Sequence, residues 1–94
     1  MTTPINDQGA DVIATLNGYK AVIQCKKYTK RVGNAAVQEI AAARLHYRAD
    51  IAVVVCLNGY TRSADELGKS CGVYLLHHDQ LRHLQQIARV PLPV

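Results

Sequence analysis

The stretch "GADVIATLNGYKAVIQCKK", Gly9 to Lys27, carries Asp11 on one side of an Asn17-Gly18 pair and Gln24, Cys25 and Lys26 on the other. An acid, an amide and an ammonium converging across a sharp turn would make a polar site, so the first question is whether the chain brings them together. Asn-Gly between two alternating, β-branched runs is the strongest short hairpin signal. With a two-residue turn Leu16 pairs with Tyr19, every further pair also sums to 35, and Asp11 falls opposite Gln24. Directly opposed residues share a face, with Cβ atoms roughly 4.5 to 5.5 Å apart, and Lys26 lies two residues further along that face. Ile13 and Val22 continue it as core, so three polar groups gather at the end remote from the turn, while Cys25 points the other way. A surface Asp11 to Lys26 ion pair with Gln24 hydrogen-bonded beside it would give the same pattern, and such pairs are energetically minor.

The elements that must position these groups are legible along the chain. The hairpin strands run Ala10 to Leu16 and Tyr19 to Lys26. Asn34 is placed to cap a helix through Ala35 to about Tyr47, with Val37, Ile40, Ala41 and Arg44 at helical spacing. Ile51 to Leu57 is a continuous apolar run, as in a strand buried on both faces, and Asn58-Gly59 ends it. Thr61 or Ser63 then caps a second helix, Ser63 and Glu66 having capping-box spacing, with Gly72 as its stop. Val73 to Leu76 is a short strand, and Asp79 is placed to cap a last helix to about Ala88, before Pro91 and Pro93. The order β-β-α-β-α-β-α implies an α/β fold: a mixed sheet with an antiparallel first pair, later strands added by crossovers, and helices on both faces.

A chain of 94 residues suits one domain, here 1–94 with a core of about 9–76 and a C-terminal helix and tail over 79–94. At 49% hydrophobic it has the material for a packed core, which excludes a disordered chain. Its longest apolar run is far short of the roughly 20 residues that span a bilayer, and no secretory pattern opens it, so no membrane association and a cytoplasmic location are expected. Cys25, Cys56 and Cys71 lack CxxC spacing, which predicts free thiols and neither a disulfide framework nor a zinc ribbon. None has an evident His and acid partner for thiol catalysis. Without GxGxxG or GxxxxGK[ST], no nucleotide cofactor is expected. Lys26, Lys27, Lys30 and Arg31 set four cations within six residues around Tyr28, which reads equally as a solvated turn or a phosphate-binding patch. His46, His77, His78 and His83 invite a metal reading, but adjacent strand residues point to opposite faces, which is expected to keep His77 and His78 from sharing an ion.

The Asp11, Gln24, Lys26 arrangement resembles the PD-(D/E)xK nuclease superfamily, and specifically its Mrr-like restriction endonuclease branch, in which Gln-x-Lys often replaces Glu-x-Lys. The segments "GADVI", "VIQCKKYTKRVGNAAVQEIAAAR", "ADIAVVVCLNGYTRSADELG" and "GVYLL" look like successive parts of the Mrr catalytic domain, over about Gly9 to Leu76. The resemblance implies a restriction-endonuclease-like fold and Mg²⁺-dependent (or Mn²⁺-dependent) hydrolysis of DNA. Asp11 would be the metal-binding aspartate, Gln24 the variable second position and Lys26 the lysine; the Cys25 carbonyl would complete the protein ligands. Lys27, Lys30 and Arg31 would hold the DNA backbone. Asp7 is a candidate second acid, set against an exposed turn residue. Gln38 matches a polar helix position often turned to the site, and helical geometry agrees, Gln38 lying about 100° and Glu39 about 200° from core-facing Val37. Glu39 is therefore expected to face solvent. Family members usually open with a helix bearing an acid near the metal, whereas this sequence begins just before the hairpin, so a version without that helix is expected, and with it a homodimer covering the exposed apolar surface. The competing expectation is an inactive nuclease fold that binds DNA or assembles with a partner.

Overall fold

Gly18 has φ 85°, the left-handed backbone that a tight hairpin turn requires and glycine adopts without strain. Around it β2 (Val12–Leu16) and β3 (Tyr19–Lys26) pair antiparallel, Leu16 with Tyr19, Ile13 with Val22 and Val12 with Ile23, the register expected from the sequence. The computed structural model describes residues 2–4, 12–16, 18–27 and 30–83. Asp7, Asp11 and Tyr28 lie outside them, as do the side chain of His83 and the remainder of the expected last helix beyond it.

After β3 come α1 (Asn34–His46), β4 (Ile51–Cys56), α2 (Arg62–Cys71), β5 (Val73–His77) and a 3-10 helix over His78–His83. A short strand the sequence did not announce, β1 (Thr2–Pro4), precedes the hairpin and pairs antiparallel with β2. The sheet order is β1-β2-β3-β4-β5, antiparallel as far as β3 and parallel from β3 to β5. The β3 to β4 register is fixed at its start by Asp50: the Lys20 N–H donates to Asp50 Oδ2 at 2.9 Å and the Asp50 N–H to the Lys20 carbonyl at 2.8 Å. Every residue of β4 is buried, as its unbroken apolar run requires of a strand covered on both faces.

On one face Val22, Ala52, Val54, Cys56 and Val73 pack against Ala36, Val37, Ile40 and Ala43 of α1 and Ala64 of α2. The alanines let α1 lie close to the sheet. On the other face Ala14, Ala21, Ile23, Ile51, Val53, Val55 and Leu76 form a second cluster. Both described α-helices thus share one face. Helices on both faces were expected, and of the expected last helix from Asp79 the described part is the 3-10 helix.

The caps follow local chemistry in one helix and tertiary contacts in the other. Thr61 caps α2, its side chain accepting from the Ala64 N–H at 3.1 Å, and Gly72 stops it at φ 70°. For α1 the expectation needs correcting: its N-cap is Gly33, and Asn34 instead donates from Nδ2 to Ser63 Oγ at 2.9 Å, tying the start of α1 to the start of α2.

Candidate functional site

Val22, Gln24 and Lys26 alternate along β3 and project to the face that carries α1. In the parallel ladder Gln24 pairs with Val54 and Lys26 with Cys56, so both polar groups sit at the C-terminal end of β3, beside the C-terminal end of β4. This is where open α/β sheets bind ligands. Gln24 is 7% exposed and is the one buried polar side chain in the described core. Its Oε1 has no hydrogen-bond partner. Leaving a buried acceptor unsatisfied costs about 1–3 kcal/mol, so nothing in packing alone favours glutamine here over an apolar residue.

The Lys26 side chain is only 15% exposed, and its Nζ lies 3.4 Å from Oε1 of Glu39, which is half exposed. The helical-wheel expectation needs correcting for Gln38, which is exposed; Glu39 is exposed as expected, yet it is the α1 side chain that reaches Lys26. The signal that finds it is reach rather than angle: two long side chains can meet across a helix and strand that a wheel compares only by rotation. Lys27, Lys30 and Arg31 are all exposed. They lead into Val32, which is buried and forms a parallel bridge with Tyr60; the Val32 N–H donates to the Gly59 carbonyl at 2.8 Å and the Thr61 N–H to the Val32 carbonyl at 2.9 Å. The basic loop is thereby fastened to the loop between β4 and α2.

Tyr60 is pinned in turn. Its hydroxyl lies 2.8 Å from the Val54 carbonyl and 2.7 Å from the Leu76 carbonyl, bridging β4 and β5. Burial, with the Cys56 thiol beside it, pushes the phenol well above its usual range, so it stays a neutral donor. None of the three cysteines forms a disulfide. No described helix is long and apolar enough to cross a membrane.

A second cluster overturns an expectation about the histidines. Strand alternation separates adjacent side chains only while the strand lasts, and β5 ends at His77. The 3-10 helix begins at His78, and the turn brings the two rings to 4.4 Å between centroids. Among the described residues His77, His78 and Asp79 are the one group of three with metal-ligating atoms together; His46 is not part of it.

A mixed five-stranded sheet with an antiparallel hairpin, two crossover helices and a Gln-x-Lys at the strand ends defines a restriction-endonuclease-like α/β fold. The sequence matches the family model described as restriction endonuclease, that of the Mrr catalytic domain, over residues 1–85, and the chain belongs to that family. The match takes in β1 as well as the hairpin. Among solved structures it is similar to the crystal structure of a protein of unknown function, AF1548, with a TM-score of 0.70 at 18% identity over 82% of this chain and 48% of that one. The chain spans about half the length of that structure, and the likeness is one of fold. No curated protein matches it.

Proposed function

We propose that the chain is a divalent-metal-dependent endonuclease that hydrolyses phosphodiester bonds in DNA, with Asp11, Gln24 and Lys26 at its centre. The observation that carries this reading is the buried, unpartnered Oε1 of Gln24 beside a largely buried lysine. An orphaned hard oxygen is the donor type that Mg²⁺ or Mn²⁺ takes, so the residues fit such an ion. The hairpin register supports Asp11 as its companion: the described pairs sum to 35, and the next step of that series is Asp11 with Gln24. These two side chains and the Cys25 carbonyl would hold the ion, which supplies a more acidic water and neutralisation of phosphate charge.

The chain's own part is electrostatic and positional. Lys26 orients the attacking water and offsets charge developing on the phosphate. Glu39 holds the Lys26 ammonium at the strand end, whereas Gln38, the helix residue the resemblance turns toward the site, is exposed. Lys27, Lys30 and Arg31 engage the DNA backbone, which gives salt-dependent binding with little sequence preference. We further propose a homodimer, supported by exposed Leu45, Leu57 and Tyr74 at 75%, 46% and 37%, and a cytoplasmic setting, in keeping with cysteines in no disulfide.

The test is incubation of purified protein with supercoiled plasmid, with and without Mg²⁺ or Mn²⁺, beside Lys26→Ala. Metal-dependent nicking that falls at least about 100-fold in the variant is the expected result. Retarded but uncut plasmid under every condition identifies the inactive DNA-binding alternative.

A further inference from the structure

We infer that His77, His78 and Asp79 form a binding site for one transition-metal dication of the Zn²⁺ class, separate from the proposed cleavage centre and independent of that proposal. The ligating atoms of the three residues all lie within 4.8 Å of one another. His77 Nδ1 is 3.4 Å from Asp79 Oδ2, and His78 Nε2 is 3.0 Å from Asp79 Oδ1. With Zn–N and Zn–O bonds of about 2.0–2.1 Å, the edge of a tetrahedral ligand set is about 3.3 Å, so each histidine stands about one such edge from an oxygen of the same carboxylate, His77 from Oδ2 and His78 from Oδ1.

The hydrogen bonds around His77 point the same way. Its Nε2 is 2.8 Å from the Leu57 carbonyl. A carbonyl only accepts, so Nε2 carries the ring proton and Nδ1 of the neutral ring presents a lone pair. That lone pair faces a carboxylate oxygen, and its one other contact is a 3.3 Å bond from the Asp79 N–H, near the long limit for hydrogen bonds and readily exchanged. Two electron-rich atoms at this separation favour a cation between them. A second ring proton would satisfy that pair alone, whereas a metal ion also engages His78. The Leu57 carbonyl then does what outer partners do at histidine metal sites, fixing the tautomer and the ring plane. The backbone is held as well, since the His77 N–H donates to Gln80 Oε1 at 2.8 Å.

Position separates this site from the other. His77 pairs with Cys56, and Cys56 with Lys26, so the three stand in one row across β5, β4 and β3. Two strand spacings put His77 about 10 Å from Lys26, far beyond the roughly 3.5–4 Å of paired catalytic metals. The ion would brace the turn at the end of β5, whose His77 ring is tied to the loop after β4 by the Leu57 carbonyl. Two imidazoles select Zn²⁺, Co²⁺, Ni²⁺ or Cu²⁺ over Mg²⁺.

Co²⁺ reports on the site by its visible absorption. The intact chain is titrated with Co²⁺, then with competing Zn²⁺, beside His78→Ala, Asp79→Ala and His46→Ala; positions 78, 79 and 46 are exposed, so the variants should fold, which circular dichroism checks. One equivalent should bind, be displaced by Zn²⁺ and not by excess Mg²⁺, and raise the melting temperature. Affinity should fall roughly 10–100-fold in His78→Ala and Asp79→Ala and be unchanged in His46→Ala. No saturable uptake, uptake unaltered in the first two variants, or uptake lost in His46→Ala would overturn the site.

Discussion

Gln24 occupies a position where the sheet alternation calls for an apolar side chain, and the usual triplet of the superfamily would place an acid. Gln24→Glu separates the two explanations. With no cation present, a carboxylate there is desolvated and, on the proposed register, about 5 Å from Asp11, so the variant should lose about 1 kcal/mol or more of stability. Adding Mg²⁺ or Mn²⁺ should restore more thermal stability to the variant than to the parent, because a ligand that binds only the native state stabilises it. Melts with no metal-dependent shift in either protein would end the metal assignment. Tyr60 gives a second prediction at this scale. Its hydroxyl serves two strand carbonyls, so Tyr60→Phe should cost about 1–2 kcal/mol near neutral pH. The sign of the pH effect follows from the raised phenol: above the ordinary value of 10.0 an unfolded tyrosine loses its proton while the folded one keeps it. Stability should therefore fall as pH rises beyond that value, and denaturant titrations of the Phe variant should show a flatter alkaline limb.

Elements differ in how far they could be read. The hairpin register was legible because Asn-Gly fixes the parity of every later pair, and β4 because a strand buried on both faces needs no alternation. Neither β1 nor the α1 cap was legible. Three residues ending in a proline give no period, yet a sheet edge tolerates that proline. Asn34 looked like a local cap, but its partner Ser63 is 29 residues away and invisible to a local rule. Of the proposed site, the shared face of Gln24 and Lys26 was readable from spacing, whereas Glu39 depended on the closeness of α1 to β3, which spacing does not encode. The packing of α2 rests on Gly68, where a Cβ would come within 3.0 Å of Leu75 Cδ1 and 3.2 Å of the Val73 carbonyl. A side chain can move aside, but a strand carbonyl cannot. Gly68→Val should therefore lower stability by about 1–3 kcal/mol in chemical denaturation, even though glycine is itself a poor helix former.

At the level of the whole molecule the distribution of apolar surface matters most. β5 is an outer strand of the sheet and carries Tyr74 outward, while Leu45 stands 75% exposed on α1. Contiguous apolar patches are the usual markers of contacts between copies. Light scattering at rising concentration should approach twice the monomer mass of 10.3 kDa, and a constant monomer mass at high concentration would refute the proposed homodimer. The bridge between Val32 and Tyr60 has a consequence for local opening. Its two backbone bonds join segments lying outside the five strands, so those amides can be released only when the basic loop separates from the loop following β4. Under native conditions deuterium should therefore enter the Val32 and Thr61 amides slowly, with opening free energies close to those of β4 rather than of a surface loop. Rapid exchange at both, with β4 still protected, would show that the arm bearing Lys30 and Arg31 opens as a unit of its own.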